Sequence, residues 1–173
     1  MSVVVACAQC LTFWPLGAPA TCADPSHPHE RHELHRHRTP VVLPGGAEVV
    51  AVSFDVADPY TREVPPDHGV YLDERWQPPW PHEHVEWPDF GMPADTEALV
   101  AVLRGALGRA RAGERVEIGC LGAHGRTGTA LACLAVLDGH SPADAVAWVR
   151  ANYCPRAVET DDQAAFVAGL TVC

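Results

Sequence analysis

Hydrophobic and polar positions split this chain into a first part patterned for strands and a second part patterned for helices. Pro40–Leu43 and Ala47–Phe54 flank a Pro44-Gly45-Gly46 turn and read as a hairpin. Residues 55–93 are rich in proline and aromatics. Only Gly69–Leu72 and His84–Trp87 have strand character there, and the rest is expected to be loop. From Asp95 the period lengthens. Leu99, Val100, Leu103, Leu107 and Ala110 recur on roughly one face, which predicts a helix over Thr96–Ala112. After a Gly113-Glu-Arg turn, Val116–Cys120 is a short buried strand, 121–125 a glycine-rich loop, and Arg126–Leu137 a run apolar almost all round, as in a central buried helix. Ser141 as N-cap with Pro142 at the first helical position predicts a helix to about Tyr153. Thr160-Asp-Asp-Gln163 is a capping box opening a last helix through Phe166 and Leu170. Strands first and helices after predict an α/β domain: a small central sheet flanked by helices, with the glycine-rich loop between a buried strand and a buried helix.

Composition narrows the chemistry. The 173 residues, 47% hydrophobic and 20% charged, suit one well-cored domain. Acidic residues outnumber basic ones 22 to 12, for a net charge of −10, and every basic residue is arginine. The absence of lysine removes Schiff-base lysine chemistry, the Walker-A loop and lysine-dependent kinases. The acidic balance argues against nucleic acid as a partner. A bound anion must therefore be held by arginine, histidine, backbone N–H groups or a metal.

Targeting and redox signals are weak. Seven cysteines, an odd and irregularly spaced set, fit a secreted disulfide framework poorly. The first 23 residues are uncharged, yet they lack a basic leader and are broken by Cys7, Gln9, Cys10, Pro15 and Pro19. With no apolar run of about 18 residues, a membrane partner is not expected. A cytoplasmic protein is the expectation.

The sharpest chemical signal is Cys120-Leu121-Gly122-Ala123-His124-Gly125-Arg126-Thr127-Gly128. A loop entering a helix N-terminus aims several backbone N–H groups and the positive dipole end at one point. Gly122 and Gly125 are expected to let the backbone curl around an anion. The same field favours the thiolate, the nucleophilic form of a cysteine. Arg126 adds a planar two-pronged donor suited to phosphate oxygens.

These residues resemble the protein tyrosine phosphatase superfamily, whose signature is Cys-x5-Arg-Ser/Thr-Gly between a strand and a helix. The resemblance covers roughly residues 85–167. It implies Cys120 as nucleophile, Arg126 and the amides of Leu121 to Gly125 as the phosphate cradle, and Thr127 as a hydrogen-bond donor to the Cys120 sulfur. Glu86-Trp87-Pro88-Asp89-Phe90-Gly91-Met92-Pro93 is similar to the family's mobile Trp-Pro-Asp loop, which makes Asp89 the general acid. It lies 120 − 89 = 31 residues before the cysteine. Val158-Glu159-Thr160-Asp161-Asp162-Gln163 stands where the family carries Val-Gln-Thr-x-x-Gln, whose glutamines place the hydrolytic water. Gln163 agrees and Glu159 departs, while the capping box explains the same residues without catalysis.

Other departures are Gly119, where the family has histidine, and Ala123, where it has glycine, a change costing little if its φ stays negative. His124 either lines the pocket or faces solvent. The implied reaction is hydrolysis of phosphomonoesters, phosphotyrosine in proteins first among them, through a phosphocysteine and without a catalytic cofactor. The partner is then a phosphorylated protein or a small phosphomonoester. The alternative is a catalytically weak phosphate-binding module. A rhodanese-like enzyme shares the cysteine-to-arginine loop but lacks a counterpart of Asp89.

Residues 1–40 read as a separate Cys/His-rich element ahead of a catalytic domain over 41–173. Cys7, Cys10, Cys22 and either His27 or His29 supply four tetrahedral ligands at zinc spacing. A structural zinc there would clamp an otherwise coreless segment to the domain, with no part in catalysis; a zinc-dependent interaction module is the alternative reading of the same residues. Buried cysteines beside a flexible histidine-rich tail are the competing reading.

Overall fold

The computed structural model describes residues 38–54 and 59–171 in full, together with the backbone of 4–7, 13–15 and 31–33. The chain divides into two compact units, Met1–Arg36 and His37–Cys173. In the first, β1 (Val4–Cys7) pairs antiparallel with β2 (Phe13–Pro15) on one side and β3 (Arg31–Glu33) on the other. Of the expected zinc ligands, Cys7 lies in β1, described by backbone alone. Cys10, Cys22, His27 and His29 fall outside the described residues. Among the described residues no group of three or more His, Cys, Asp or Glu could hold a metal ion.

The second unit is α/β. Its mixed sheet has the order β4-β5-β8-β6-β7: β4 (Arg38–Val42), β5 (Glu48–Ser53), β6 (His68–Tyr71), β7 (His82–His84) and β8 (Val116–Cys120). β4 and β5 form the expected antiparallel hairpin, with Gly46 at φ 91° in its turn. The other pairings are parallel, with β8 central between β5 and β6. The helices are α1 (Thr96–Arg111), α2 (Gly125–Leu137), α3 (Ala145–Asn152) and α4 (Asp161–Ala168).

Strand alternation gives the sheet two unlike faces. Val49, Ala51, Val70, Leu72, Val116 and Ile118 join the helices in the main core. α1 contributes Leu99, Leu103, Ala106, Leu107 and Ala110, while all thirteen residues of α2 are buried. On the opposite face Val52, Tyr71, Trp76 and Trp80 form a second cluster, with Tyr60 edge-on to both tryptophans and Arg62 over Trp80. A buried carboxylate, Glu117 of β8, sits on this face and is not left bare. Arg62 grips it with Nε and Nη2 (2.7 and 3.0 Å), Arg38 donates at 3.2 Å, and the Tyr71 hydroxyl at 3.2 Å. Burial, and then Glu117, push the Tyr71 phenol above its ordinary range. The proline- and aromatic-rich stretch is thus a fitted cover for one side of the central strand.

Two elements depart furthest in kind from the sequence reading. The strand expected at His84–Trp87 is β7, at His82–His84. Beyond it Val85 N–H still bonds Tyr71 O (3.0 Å), but the Trp87 carbonyl turns inward to accept from Arg126, which takes the chain off the sheet edge. The helix expected from Pro142 begins at Ala145, because Asp144 N–H closes a tight turn on Ser141 O (3.1 Å) in place of helical spacing.

Candidate active site

The C-terminal end of β8 delivers Cys120 to the sheet's edge, and α2 starts five residues later at Gly125. Central strand and apolar helix both belong to the core, so the loop between them hangs from two rigid supports. Cys120 is 3% exposed, and Thr127 in the first turn of α2 donates from Oγ1 to its sulfur at 3.0 Å. The N-cap of α2, His124, makes no side-chain cap and the first turn holds no acidic residue, while from α4's side the Glu159 carboxylate draws a hydrogen bond from Gly125 N–H. The positive end of the helix faces the loop.

Arg126 is anchored at one end and open at the other. Its Nη1 donates to Leu72 O and Trp87 O (3.0 Å each) and lies 3.4 Å from Asp73 Oδ2. Its Nη2 pairs with Asp89 Oδ1 at 3.3 Å, while Nε is buried with no protein partner. An unpaired buried donor is costly unless something polar meets it. One edge of the guanidinium thus holds the strand end and the Trp87 loop in register, and the Nε–Nη2 edge keeps a fork. Asp73, held below its ordinary value chiefly by the Arg75 side chain, adds negative charge behind that anchor. Neither acid nor backbone acceptor was legible as part of the site, because only the sheet order brings residues 72 and 73 beside residue 126.

The Asp89 loop is a turn. Gly91 N–H bonds Pro88 O (3.1 Å), Trp87 Nε1 bonds Gly91 O (2.7 Å), and Trp87 itself is buried. Asp89 is exposed at 58% of its side chain yet reaches Arg126, so the expected acid and the expected cradle do meet. Phe90, at φ 57°, and Leu121 are both exposed beside them.

The expected water-placing pair is split by the structure. Gln163 is fully buried: its Oε1 accepts Glu159 N–H (2.9 Å) and its Nε2 donates to Gly91 O (3.3 Å). Thr160 Oγ1 accepts Gln163 N–H at 3.2 Å, the forward half of the capping box. The return half lands one residue early, on Glu159 in place of Thr160, and the leftover amide nitrogen ties the Asp89 turn to α4. Glu159 lies against Gly125, with its carboxylate beside the space a Gly125 side chain would fill. Its carboxyl is held above the ordinary value, first by desolvation and then, after the opposing pull of Arg156, by Asp89.

Neither Gly122 nor Gly125 adopts a positive φ; Ala123 does, at 55°. The left-handed residue of the loop is therefore a buried alanine, so the condition under which that departure costs little is not met. Gly125 and Gly128 serve packing instead, since a Cβ on either would strike Glu159 or Ala157. Gly119 has a packing reason too: a Cβ there would stand 2.6 Å from Val52 O and 2.9 Å from Phe54. The family's histidine has no room here.

No family model matches the sequence. An uncharacterized protein of Methanocaldococcus jannaschii is 36% identical over 111 residues, a match covering 57% of this chain and 71% of that protein. The crystal structure of Tk-PTP in its active form is 30% identical, with a TM-score of 0.53, and the match spans 68% of this chain and 86% of that one. Kinase associated phosphatase carrying a serine for its catalytic-site cysteine has a TM-score of 0.60, over 76% of this chain and 91% of that one. At 16% identity that likeness is one of fold alone.

Proposed function

The chain belongs to the protein tyrosine phosphatase superfamily, and from that premise we propose that it hydrolyses phosphomonoesters, protein phosphotyrosine above all, through a phosphocysteine on Cys120. The observation that carries this reading is Arg126, whose Nε is buried and unpartnered and whose chain neighbour Thr127 hydrogen-bonds the Cys120 sulfur. Exposed Phe90 and Leu121, next to Asp89 and Cys120, offer apolar surface to an aryl ring, which favours phosphotyrosine over short phosphoserine.

In the first step the Cys120 sulfur attacks phosphorus in line, an S–P bond forms and the P–O bond to the leaving group breaks. Asp89 gives its proton to the departing oxygen. Arg126 and the loop amides hold the equatorial oxygens as their charge shifts. In the second step Asp89, now a carboxylate, takes a proton from water as it attacks phosphorus. The P–S bond breaks, inorganic phosphate leaves, and Thr127 steadies the returning sulfur anion. Glu159, against Gly125 at the rim of the loop, is the residue we assign to orienting that water, and Gln163 acts by holding Gly91. Every step uses the chain's own groups and none is routed through a metal.

The test is initial rates on phenyl phosphate and on phosphotyrosine and phosphoserine peptides, with and without a chelator. Rates should be chelator-insensitive, highest on the aryl substrates, and lower by about a thousandfold or more in Cys120→Ser. Tight phosphopeptide binding with no turnover by the unsubstituted protein would instead mark a binding module.

A further inference from the structure

Tyr153 and Cys154, at the C-terminal end of α3, touch the anion loop at two consecutive residues, and the phosphatase signature accounts for neither contact. The Tyr153 hydroxyl donates to Ala123 O at 2.5 Å, and Cys154 Sγ lies 3.5 Å from His124 Nδ1. Both are well anchored. Their N–H groups bond Val149 O (2.9 and 3.2 Å), and Arg156 N–H donates to the Cys154 sulfur at 3.2 Å. Val149 is fully buried in the core that α3 shares with α2.

What they touch is the strained part of the cradle. Ala123 sits at φ 55°, a conformation that an alanine enters at a cost and holds only where its surroundings impose it. Its carbonyl is fixed by Tyr153 on one side, and the next residue, His124, is the N-cap of α2. We propose that Tyr153 and Cys154 are positioning residues that latch the loop in its anion-binding curl, offsetting the strain at Ala123. This rests on the phosphatase reading of the same loop. Burial drives the Cys154 thiol up to about 11, so it stays a thiol beside His124 Nδ1, and which of the two donates follows the ring's tautomer. The Tyr153 phenol is raised as well, by burial first and then by Cys120 and Cys154, so it too stays a donor.

The charged and titratable groups around the latch are Cys120, His124, Arg156 and Glu159. The Tyr153 donor from the end of α3 holds a curl that a glycine at the same position would adopt unaided. That dependence separates a latch from ordinary packing.

The experiment measures the inhibition constant of inorganic phosphate, with KM and kcat for phenyl phosphate, well below the melting temperature of each variant. Tyr153→Phe should raise the phosphate constant and KM together by about tenfold, since a buried carbonyl loses its donor. Ala123→Gly in the Tyr153→Phe background should recover much of that loss. Cys154→Ser, which keeps a donor, should stay closer to the unsubstituted protein than Cys154→Ala, and this pair carries the test should Tyr153→Phe not fold. Unchanged phosphate constants in folded Tyr153→Phe, or no recovery with Ala123→Gly, would overturn the latch. Neither result touches the phosphatase reading, which stands or falls on Cys120→Ser.

Discussion

The anion loop and the Asp89 loop are built on opposite principles. Cys120, Arg126 and Thr127 are 3%, 4% and 0% exposed, suspended between the central strand and the most apolar helix. Asp89 and Phe90 are mostly exposed, and their turn is fastened through backbone carbonyls: Trp87 O to Arg126, Gly91 O to Trp87 and Gln163. A cradle for a charged phosphoryl group works best when its donors are already aimed, since reorganisation at the moment of reaction would consume the stabilisation. An acid that must meet leaving groups of varied shape gains from an exposed position. The two meet at Arg126, which anchors one loop with Nη1 and pairs the acid with Nη2.

Three substitutions probe that contrast. The largest effect belongs to Asp89→Asn, which should lower kcat by about 10²–10⁴ while moving KM little. The loss should shrink across a series of aryl phosphates as the leaving phenol becomes more acidic. A uniform loss over that series would mean Asp89 positions Arg126 and does not protonate the leaving group. Next comes Gly119→Ala, at the root of the rigid region. With Val52 O and Phe54 in the way, overpacking should cost about 1–3 kcal/mol in chemical denaturation. A Tm equal to that of the unsubstituted protein would show that the strand end yields more readily than its packing implies.

The smallest effect is expected from Glu159→Gln, between the two regions. The folded protein holds the Glu159 proton above the ordinary value of 4.5, so the unfolded chain loses that proton at lower pH. Fewer protons are then bound in the unfolded state, and stability falls as pH rises from 4.5 through the raised value. Glu159→Gln should accordingly raise stability slightly near neutrality, by well under about 1 kcal/mol for so exposed a group, and not at all in acid. Melting curves at the two pH values decide it. A gain confined to acid would reverse the assigned sign.

The elements that sequence pattern located best are those whose signal is local and whose burial is complete. The strand Val116–Cys120 coincides with its expected bounds, and α1 and α2 fall within one residue of theirs. The edge strand and the start of α3 moved, because an inward-turned Trp87 carbonyl and a closed turn at Ser141 are decided by contacts that no periodicity contains. The departures at Gly119 and Ala123 were visible as letters, but their meaning was not. One is a matter of space beside β5, and the other of a left-handed backbone held from α3.

By itself the sequence determined the candidate set: a cysteine, an arginine and a threonine on one strand–loop–helix unit, an upstream aspartate, and an acidic chain without lysine. Those follow from residue type and short-range geometry, which are local. Only the tertiary structure decided that Arg126 is gripped by Leu72 and Trp87, that Gln163 spends its amide on Gly91, and that Tyr153 reaches back 30 residues to Ala123. Each is a contact between elements distant in the chain. Its existence depends on which strands neighbour β8 and which helix packs on α2, and those choices are made by burial of the whole core.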